Sequence, residues 1–243
     1  MNETERYAEA RTAVAEARSV VAFTGAGISA ESGVPTYRSA GGLWRNYQAE
    51  DLATVGAFQR DPETVWGWYS ERRSMMGSCE PNAGHLALAA LEERLGDEFV
   101  LVTQNIDALH HRAGSRRVME IHGNAFRTVC AVCDYEVEGL QYDTPKSTIC
   151  PSCGAWLRPD VVWFGEPLDQ ALLNRAFAAA AACDLFLSIG SSLLVQPAAS
   201  LPEVALSSGA RIIEVNMEPT WLTPEASWSF QGPAGEVLPA LVG

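Results

Sequence analysis

The fold of this chain is decided by the segment Phe23-Thr24-Gly25-Ala26-Gly27-Ile28-Ser29-Ala30-Glu31-Ser32-Gly33-Val34-Pro35-Thr36-Tyr37-Arg38. The residues from Ser19 to Phe23 are mostly apolar and β-branched, which is typical of a strand buried on both faces. Such a strand followed by Gly-x-Gly and a helix often binds a nucleotide diphosphate. Gly25 permits a tight turn, Gly27 leaves the backbone bare, and the small Ala30 lets the helix pack on the strand. A glycine turn without a ligand is the alternative explanation.

The helix expected after this turn is short. Residues 31–35, Glu-Ser-Gly-Val-Pro, end it after about one turn, whereas the corresponding helix of a dehydrogenase continues. A Rossmann dehydrogenase also needs an acidic residue after its second strand to hold the ribose, and Gln104-Asn105 stands there instead. The sequence therefore favours a loop that folds over a nucleotide and disfavours a dehydrogenase.

Composition narrows the class of protein further. The chain has 243 residues, enough for one large domain with a small insert, and a net charge of -13. This charge argues against nucleic acid or an anionic membrane as the partner and suits basic, lysine-bearing proteins. The polar N-terminus predicts no signal peptide, and the apolar run 176–189 is interrupted by Asp184 and too short to span a bilayer. We expect a cytoplasmic protein.

The pattern of apolar residues predicts an α/β fold with a parallel sheet. An aromatic-rich stretch between residues 41 and 76 predicts a small helical module. Buried strands are predicted at 19–23, 99–103, 118–121, 184–189 and 210–215, and helices at 3–17, 85–95, 178–182 and 197–208.

Two cysteine pairs predict a metal site. Cys130-x-x-Cys133 and Cys150-x-x-Cys153 are separated by sixteen residues. Four thiolates leave no open position on a tetrahedral ion, so the spacing indicates structural rather than catalytic zinc in a reducing compartment. The insert carries few basic residues, which disfavours a zinc ribbon that binds nucleic acid. The other two cysteines, Cys79 and Cys183, are interpreted as ordinary thiols.

Polar residues at predicted strand ends are candidates for chemistry. His122 ends the strand 118–121, and a histidine pKa near 6.5 suits a general base. Asn105 and Asp107 follow the strand 99–103 and can bind a ribose or a carboxamide. From position alone, a structural histidine and a self-stabilised turn stay open as alternatives. The other histidines, at 85, 110 and 111, are interpreted as structural.

The order of these motifs resembles the sirtuin family of NAD-dependent protein lysine deacylases. The resemblance rests on the glycine segment 25–33 with Pro35 and Arg38, on Thr103-Gln104-Asn105-Ile106-Asp107, on Ile121-His122-Gly123 and on the cysteine pairs. It implies a Rossmann-like NAD-binding domain at 1–40, 84–125 and 157–243. It also implies a smaller domain, made of a helical module at 41–83 and a zinc-binding module at 126–156.

The resemblance also implies a reaction. The acyl-lysine carbonyl oxygen would attack the ribose carbon that bears nicotinamide, and His122 would act as base on a ribose hydroxyl. NAD is consumed as a co-substrate, and the products are free lysine, nicotinamide and O-acyl-ADP-ribose. The implied partners are acylated-lysine proteins or peptides, with no nucleic acid and no membrane.

Matching the motifs of this chain to those of the family assigns its site residues. The resemblance implies that His122 is the catalytic residue, and Ser191 stands where the family usually has a threonine. The substrate peptide would pair with Val162, Trp163, Phe164, Gly165 and Glu166; one more core strand is the alternative for this segment. The NAD-binding set is Gly25, Ala26, Gly27, Ser29, Ala30, Glu31, Thr36, Tyr37, Arg38, Trp44, Gln104, Asn105, Ile106, Asp107, Gly190, Ser191, Ser192, Asn216, Met217, Glu218 and Ala234.

A Tyr-x-x-Arg pair points to a subclass. Tyr69 and Arg72 share a helix face, and a phenol with a guanidinium is a good receptor for a carboxylate. With the small Ala49, this pair resembles the sirtuins that remove succinyl, malonyl or glutaryl groups, some of which also deacetylate. A core tyrosine beside a solvated arginine is the alternative. A general deacetylase and a protein ADP-ribosyltransferase at the same site also stay open.

Overall fold

The computed structural model describes residues 2–36, 52–137, 139–140 and 147–243. The predictions for Tyr37, Arg38, Trp44 and Ala49 lie outside these residues. The described α-helices are α1 (Glu3–Glu16), α2 (Val55–Arg60), α3 (Pro62–Gly77), α4 (Ala83–Leu95), α5 (Leu109–Arg112), α6 (Gln170–Ala182), α7 (Leu201–Ser207) and α8 (Ala234–Val242). Short 3-10 helices cover Ala26–Ser32, Gly96–Glu98 and Ala198–Ser200.

The strands form two sheets. They are β1 (Val20–Thr24), β2 (Phe99–Thr103), β3 (Val118–Glu120), β4 (Gly123–Cys130), β5 (Glu136–Val137), β6 (Leu157–Val161), β7 (Leu185–Ile189), β8 (Arg211–Asn216) and β9 (Trp228–Gln231). The larger sheet has the order β3-β2-β1-β7-β8-β9 and is parallel at every pairing. The smaller sheet, β5-β4-β6, is antiparallel. The predicted α/β fold with a parallel sheet is confirmed.

The larger sheet has the strand order of a Rossmann fold. When its six strands are numbered in chain order, their order across the sheet is 3-2-1-4-5-6, so the direction of winding reverses between β1 and β7. Both strands are buried along their whole length, as their apolar sequences require. Helices α1, α4 and α8 cover one face and α6 and α7 cover the other. Ligands bind at the carboxyl ends of strands at such a reversal, which places the candidate site.

A second core lies under the helical module and the smaller sheet. It contains Phe58, Trp66, Tyr69, Phe126 and Trp163. The fully buried Arg73 of α3 joins this core to β4, because its guanidinium donates to the carbonyl oxygens of Ala125 at 2.5 Å and Arg127 at 2.9 Å. A buried guanidinium needs such acceptors, so α3 and β4 are held in a fixed relation.

Candidate functional site

Two glycine turns meet where the larger sheet reverses. Gly25 donates its N–H to Ile189 O at 2.9 Å, and Gly27 donates to Gly190 O at 2.9 Å. A Cβ on Gly27 would lie 2.6 Å from Gly190 Cα, and Gly190 has a φ of +60°. Neither turn has room for a side chain, so the backbone stays bare on the cavity side, as a nucleotide diphosphate requires.

Gly27→Ala is expected to weaken both the fold and NAD binding. The new methyl group would push the two turns apart, which costs about 1–3 kcal/mol of unfolding free energy and raises KM for NAD. Thermal unfolding and KM for NAD check this. Gly67→Ala is the matched control, because Gly67 lies on α3 and a Cβ there meets nothing within 4 Å. An unchanged KM for NAD in Gly27→Ala would contradict the expectation.

A cavity of about 1250 Å³ opens beside these turns. This volume exceeds the ~300–1,000 Å³ of ordinary small-molecule pockets, so there is room for a dinucleotide and a second substrate. The structure brings fourteen residues of the predicted NAD-binding set to its wall. They are Gly25, Ala26, Gly27, Ala30, Thr36, Gln104, Asn105, Ile106, Gly190, Ser191, Ser192, Asn216, Met217 and Glu218.

His122 lies in the wall of the same cavity, where the two sheets meet. Its Nδ1 donates to Gln104 O at 3.1 Å, since a carbonyl oxygen only accepts. The neutral ring then carries its lone pair on Nε2, the form that a general base requires. Burial lowers the pKa of His122 below its ordinary 6.5, and the hydrogen bond to Gln104 opposes this in part. The neutral imidazole therefore predominates at pH 7.

The segment 162–166 follows the edge strand β6 and lines the cavity. Val162 N–H donates to His122 O, and Phe164 N–H donates to Ala53 O, each at 2.9 Å. Gly165, at a φ of +86°, turns the chain, and the regular strand ends at Val161. The alternative that this whole segment is a core strand is therefore wrong.

Tyr69 and Arg72 lie on α3 and also line the cavity. Arg72 is only 5 % exposed, and its guanidinium carbon lies 4.5 Å from the ring centre of Trp68. The alternative of a solvated arginine is therefore wrong. Water screens a buried guanidinium little, so it attracts an anion in the cavity strongly. Trp68 was missed from the sequence, although its position four residues before Arg72 places both on one helix face.

The four paired cysteines form one cluster. Their Sγ atoms all lie within 4.8 Å of one another, with Cys130 and Cys153 at 3.5 Å and Cys133 and Cys150 at 3.7 Å. Four sulfur atoms at ~2.3 Å from a tetrahedral zinc ion would have separations of this size. The cluster therefore fits a structural zinc ion, which would hold the two cysteine turns together. Cys79 and Cys183 lie outside it, as predicted.

Comparison with known proteins identifies the family. The model of the Sir2 family matches residues 25–197, which is more than half of the chain. The chain belongs to the Sir2 family. Similar proteins include NAD-dependent protein deacylase 2 of Pyrobaculum aerophilum, 49 % identical over 94 % of this chain and 92 % of that protein. NAD-dependent protein deacylase 1 of Pseudomonas aeruginosa is 48 % identical over 94 % of this chain and 95 % of that protein.

Solved Sir2 structures have the same fold. A Sir2 homolog in complex with NAD is 45 % identical, covers 97 % of this chain and 92 % of its own, and superposes with a TM-score of 0.89. A Sir2 mutant solved with a deacetylated p53 peptide and 3'-O-acetyl ADP ribose is 32 % identical over 96 % of both chains, with a TM-score of 0.86. Those proteins thus have ligands of the two kinds that the cavity has room for.

Four members of the NAD-binding set taken from the Sir2 resemblance do not line the cavity: Ser29, Glu31, Asp107 and Ala234. Ser29 and Asp107 lie behind the wall, where Ser29 Oγ donates to Asp107 Oδ2 at 2.7 Å and accepts from Asn105 Nδ2 at 3.1 Å. Burial raises the pKa of Asp107, while bonds from Leu109 N–H and Ser29 oppose this. These two residues thus orient Asn105, which does line the cavity.

Glu31 and Ala234 are both found at the start of α8. Glu31 Oε2 accepts from Gly235 N–H at 2.6 Å, so it caps this helix. Ala234 is the first residue of α8 and is buried. A carboxylate at a helix N-terminus is favourable because the helix dipole is positive there. The contact ties the glycine segment to the C-terminal helix, across 204 positions of sequence.

The sequence reasoning also missed Glu214, a buried carboxylate in β8. Glu214 accepts hydrogen bonds from the hydroxyls of Thr220, Thr223 at 2.6 Å and Ser229 at 3.1 Å. These bonds fix the loop that follows β8, which lines the cavity from Asn216 to Trp221. An acidic residue within the apolar strand 211–216 was the available signal, since buried acids are bonded to something.

Proposed function

We propose that this protein is an NAD-dependent protein deacylase that removes succinyl, malonyl and acetyl groups from lysine side chains. Nicotinamide and O-acyl-ADP-ribose are the other products. Membership of the Sir2 family and relatives that carry the name NAD-dependent protein deacylase support the general activity. The bare glycine turns and the size of the cavity support NAD as co-substrate.

The observation that carries the choice of acyl group is the shared cavity. Tyr69 and Arg72 line the same space as His122 and the glycine turns. An acyl chain whose carbonyl reaches the nucleotide would place its far end against one wall of this space. A phenol and a buried guanidinium there can bind a terminal carboxylate through charge-assisted hydrogen bonds.

The remaining residues take their roles from this reaction. His122 is the proposed base, and the segment 162–166 is the proposed binding surface for an acylated peptide. A second Sir2 structure that holds a peptide supports a peptide substrate here. The net charge of -13 favours basic peptides. We also keep the predicted division into an NAD-binding domain, a helical module and a zinc-binding module as part of the proposal.

A location in the cytoplasm stays a prediction. It rests on the four clustered thiols, which bind zinc only while they are reduced. Among the residues described here, no helix is both long and apolar enough to cross a membrane.

Arg72→Met is expected to remove desuccinylation selectively. Charge-assisted hydrogen bonds contribute about 1.5–3 kcal/mol, so kcat/KM for a succinyl-lysine peptide should fall about 10- to 150-fold. The rate with the matched acetyl-lysine peptide should change little, because an acetyl group has no carboxylate. Mass spectrometry of both peptides, with and without NAD, measures the two rates.

Arg60→Met is the matched control, because Arg60 is an exposed arginine of the same helical module. It should leave both rates unchanged. The proposed acid-acyl pocket is the part of the cavity wall formed by Tyr69 and Arg72. If both peptides lose their acyl groups at equal rates and Arg72→Met changes neither rate, the protein is a general deacetylase and the acid-acyl pocket is overturned. Label transferred from NAD to protein without loss of an acyl group would instead favour ADP-ribosyl transfer.

A further inference from the structure

Trp163 belongs to the segment proposed to bind the peptide, but its side chain points away from solvent. The residue is 2 % exposed. Its ring centre lies 5.1 Å from that of Phe58 and 6.5 Å from that of Tyr69. Its indole Nε1–H donates to the Tyr69 hydroxyl oxygen at 2.9 Å. The indole therefore connects the segment proposed to bind the peptide with the helix that carries the acyl pocket.

This hydrogen bond restricts the Tyr69 hydroxyl. An indole N–H only donates, so the hydroxyl oxygen must accept in the direction of Trp163. The single hydroxyl hydrogen of Tyr69 must then point in another direction. Because Tyr69 also lines the cavity, the bond from Trp163 favours orientations in which the hydroxyl donates to a group inside it.

Trp163 is itself held in place. Arg158 stacks on its ring, with the guanidinium carbon 3.4 Å from the ring centre, and pairs with Glu166 through two bonds of 2.6 and 2.8 Å. Glu166 Oε2 also accepts from the Trp163 N–H at 2.7 Å. A paired guanidinium and carboxylate with both planes fixed is a rigid support. The indole N–H is thus aimed at Tyr69 by the Arg158–Glu166 pair.

We propose that Trp163 is a specificity-determining positioning residue, which directs the Tyr69 hydroxyl towards the carboxylate of an acidic acyl group. The proposal rests on the proposed acid-acyl pocket. It concerns the ratio of desuccinylation to deacetylation, because only the acidic acyl group offers a carboxylate for the hydroxyl to meet.

Trp163→Phe tests this by removing the N–H while keeping an aromatic ring. The ratio of kcat/KM for succinyl-lysine over acetyl-lysine peptides should fall about 2- to 12-fold, the effect of one neutral hydrogen bond. Tyr69→Phe should lower the same ratio, and adding Trp163→Phe to the Tyr69→Phe background should lower it no further. Trp66→Phe is the matched control, since Trp66 Nε1 donates to Leu157 O at 2.6 Å outside the cavity.

Replacing Trp163 by benzothienylalanine removes only the N–H and serves if Trp163→Phe does not fold. An equal fall in the Tyr69→Phe background, or an equal fall with Trp66→Phe, would overturn the proposal. So would an unchanged ratio in Trp163→Phe while Arg72→Met and Tyr69→Phe lower it, and the acid-acyl pocket would then stand. If Arg72→Met and Tyr69→Phe also leave the ratio unchanged, the pocket and the role of Trp163 both fail.

Discussion

His122→Asn is expected to lower kcat for deacylation about 10²- to 10⁴-fold, the usual contribution of a general base. Asparagine keeps an N–H that can donate to Gln104 O, but it has no basic nitrogen. In the proposed reaction, release of nicotinamide precedes the step in which His122 acts as base on the ribose hydroxyl. It should therefore fall less than formation of the deacylated peptide. Single-turnover experiments that follow both products measure the difference.

His111→Gln is the control for this variant. His111 lies outside the cavity lining and pairs with Glu120 at 3.1 Å. We expect a change in kcat of at most about threefold, since its loss removes one partly exposed contact. Equal loss of nicotinamide release and of deacylated peptide in His122→Asn would contradict a role for His122 as base in the second step.

The pH profile gives a second check on the same base. The neutral imidazole is the active form, so kcat/KM should rise with pH through the His122 pKa. Because burial lowers this pKa, the acidic limb should lie below pH 6.5. The hydrogen bond to Glu120 raises the pKa of His111, so a limb controlled by His111 would lie above pH 6.5. A limb above pH 6.5 would therefore argue against His122.

The buried strands and the glycine turn are predictable from sequence because their signals are local. The strand predicted at 99–103 coincides with β2, and those predicted at 19–23 and 184–189 differ from β1 and β7 by one residue at their ends. A strand buried on both faces is mostly apolar, and Gly-x-Gly after it permits a tight turn that residues with side chains would not allow. The four-cysteine cluster is predictable for the same reason, since its spacing reflects the geometry of one ion.

The smaller sheet was not predictable in the same way. Strand β4 has the sequence Gly-Asn-Ala-Phe-Arg-Thr-Val-Cys, in which polar and apolar residues do not alternate cleanly. Its pairing with β6 shifts register between Asn124 and Thr128, and this irregularity further disrupts the alternation of polar and apolar residues. Helix α8 was also missed. Strand β9 was missed because it has only four residues and is only partly buried.

Contacts between distant residues were the least predictable part of the site. Trp163 and Tyr69 are 94 positions apart, and nothing in either local pattern indicates their hydrogen bond. Glu31 was assigned to NAD from the motif that contains it, and that motif gave no indication of the hydrogen bond that its carboxylate accepts from Gly235 N–H. Motif matching identifies which segments form the cavity. It does not determine which side chains face the cavity and which support its wall.

Removal of zinc is expected to unfold the smaller sheet and abolish deacylation. Structural zinc binds small domains with apparent free energies of about 10–16 kcal/mol, comparable to the entire stability of an ordinary domain. The four sulfur atoms come from the last residue of β4, the turn that follows it and the segment before β6, so they connect both long strands of this sheet. Strand β6 runs directly into the segment 162–166 that lines the cavity. The structural change caused by loss of the metal should therefore be transmitted to the cavity wall through the backbone of β6.

Cys150→Ser and treatment with a chelator both test this expectation. Metal content by mass spectrometry should fall by one zinc ion per chain, together with the near-UV circular dichroism of the aromatic residues packed below the sheet. Cys183→Ser is the control, because Cys183 is a buried thiol outside the cluster, and burial raises its pKa to about 11. It should retain zinc and activity. A zinc-free protein with unchanged unfolding temperature and deacylation would show that packing of β4 on α3, through Arg73, holds the sheet without the metal.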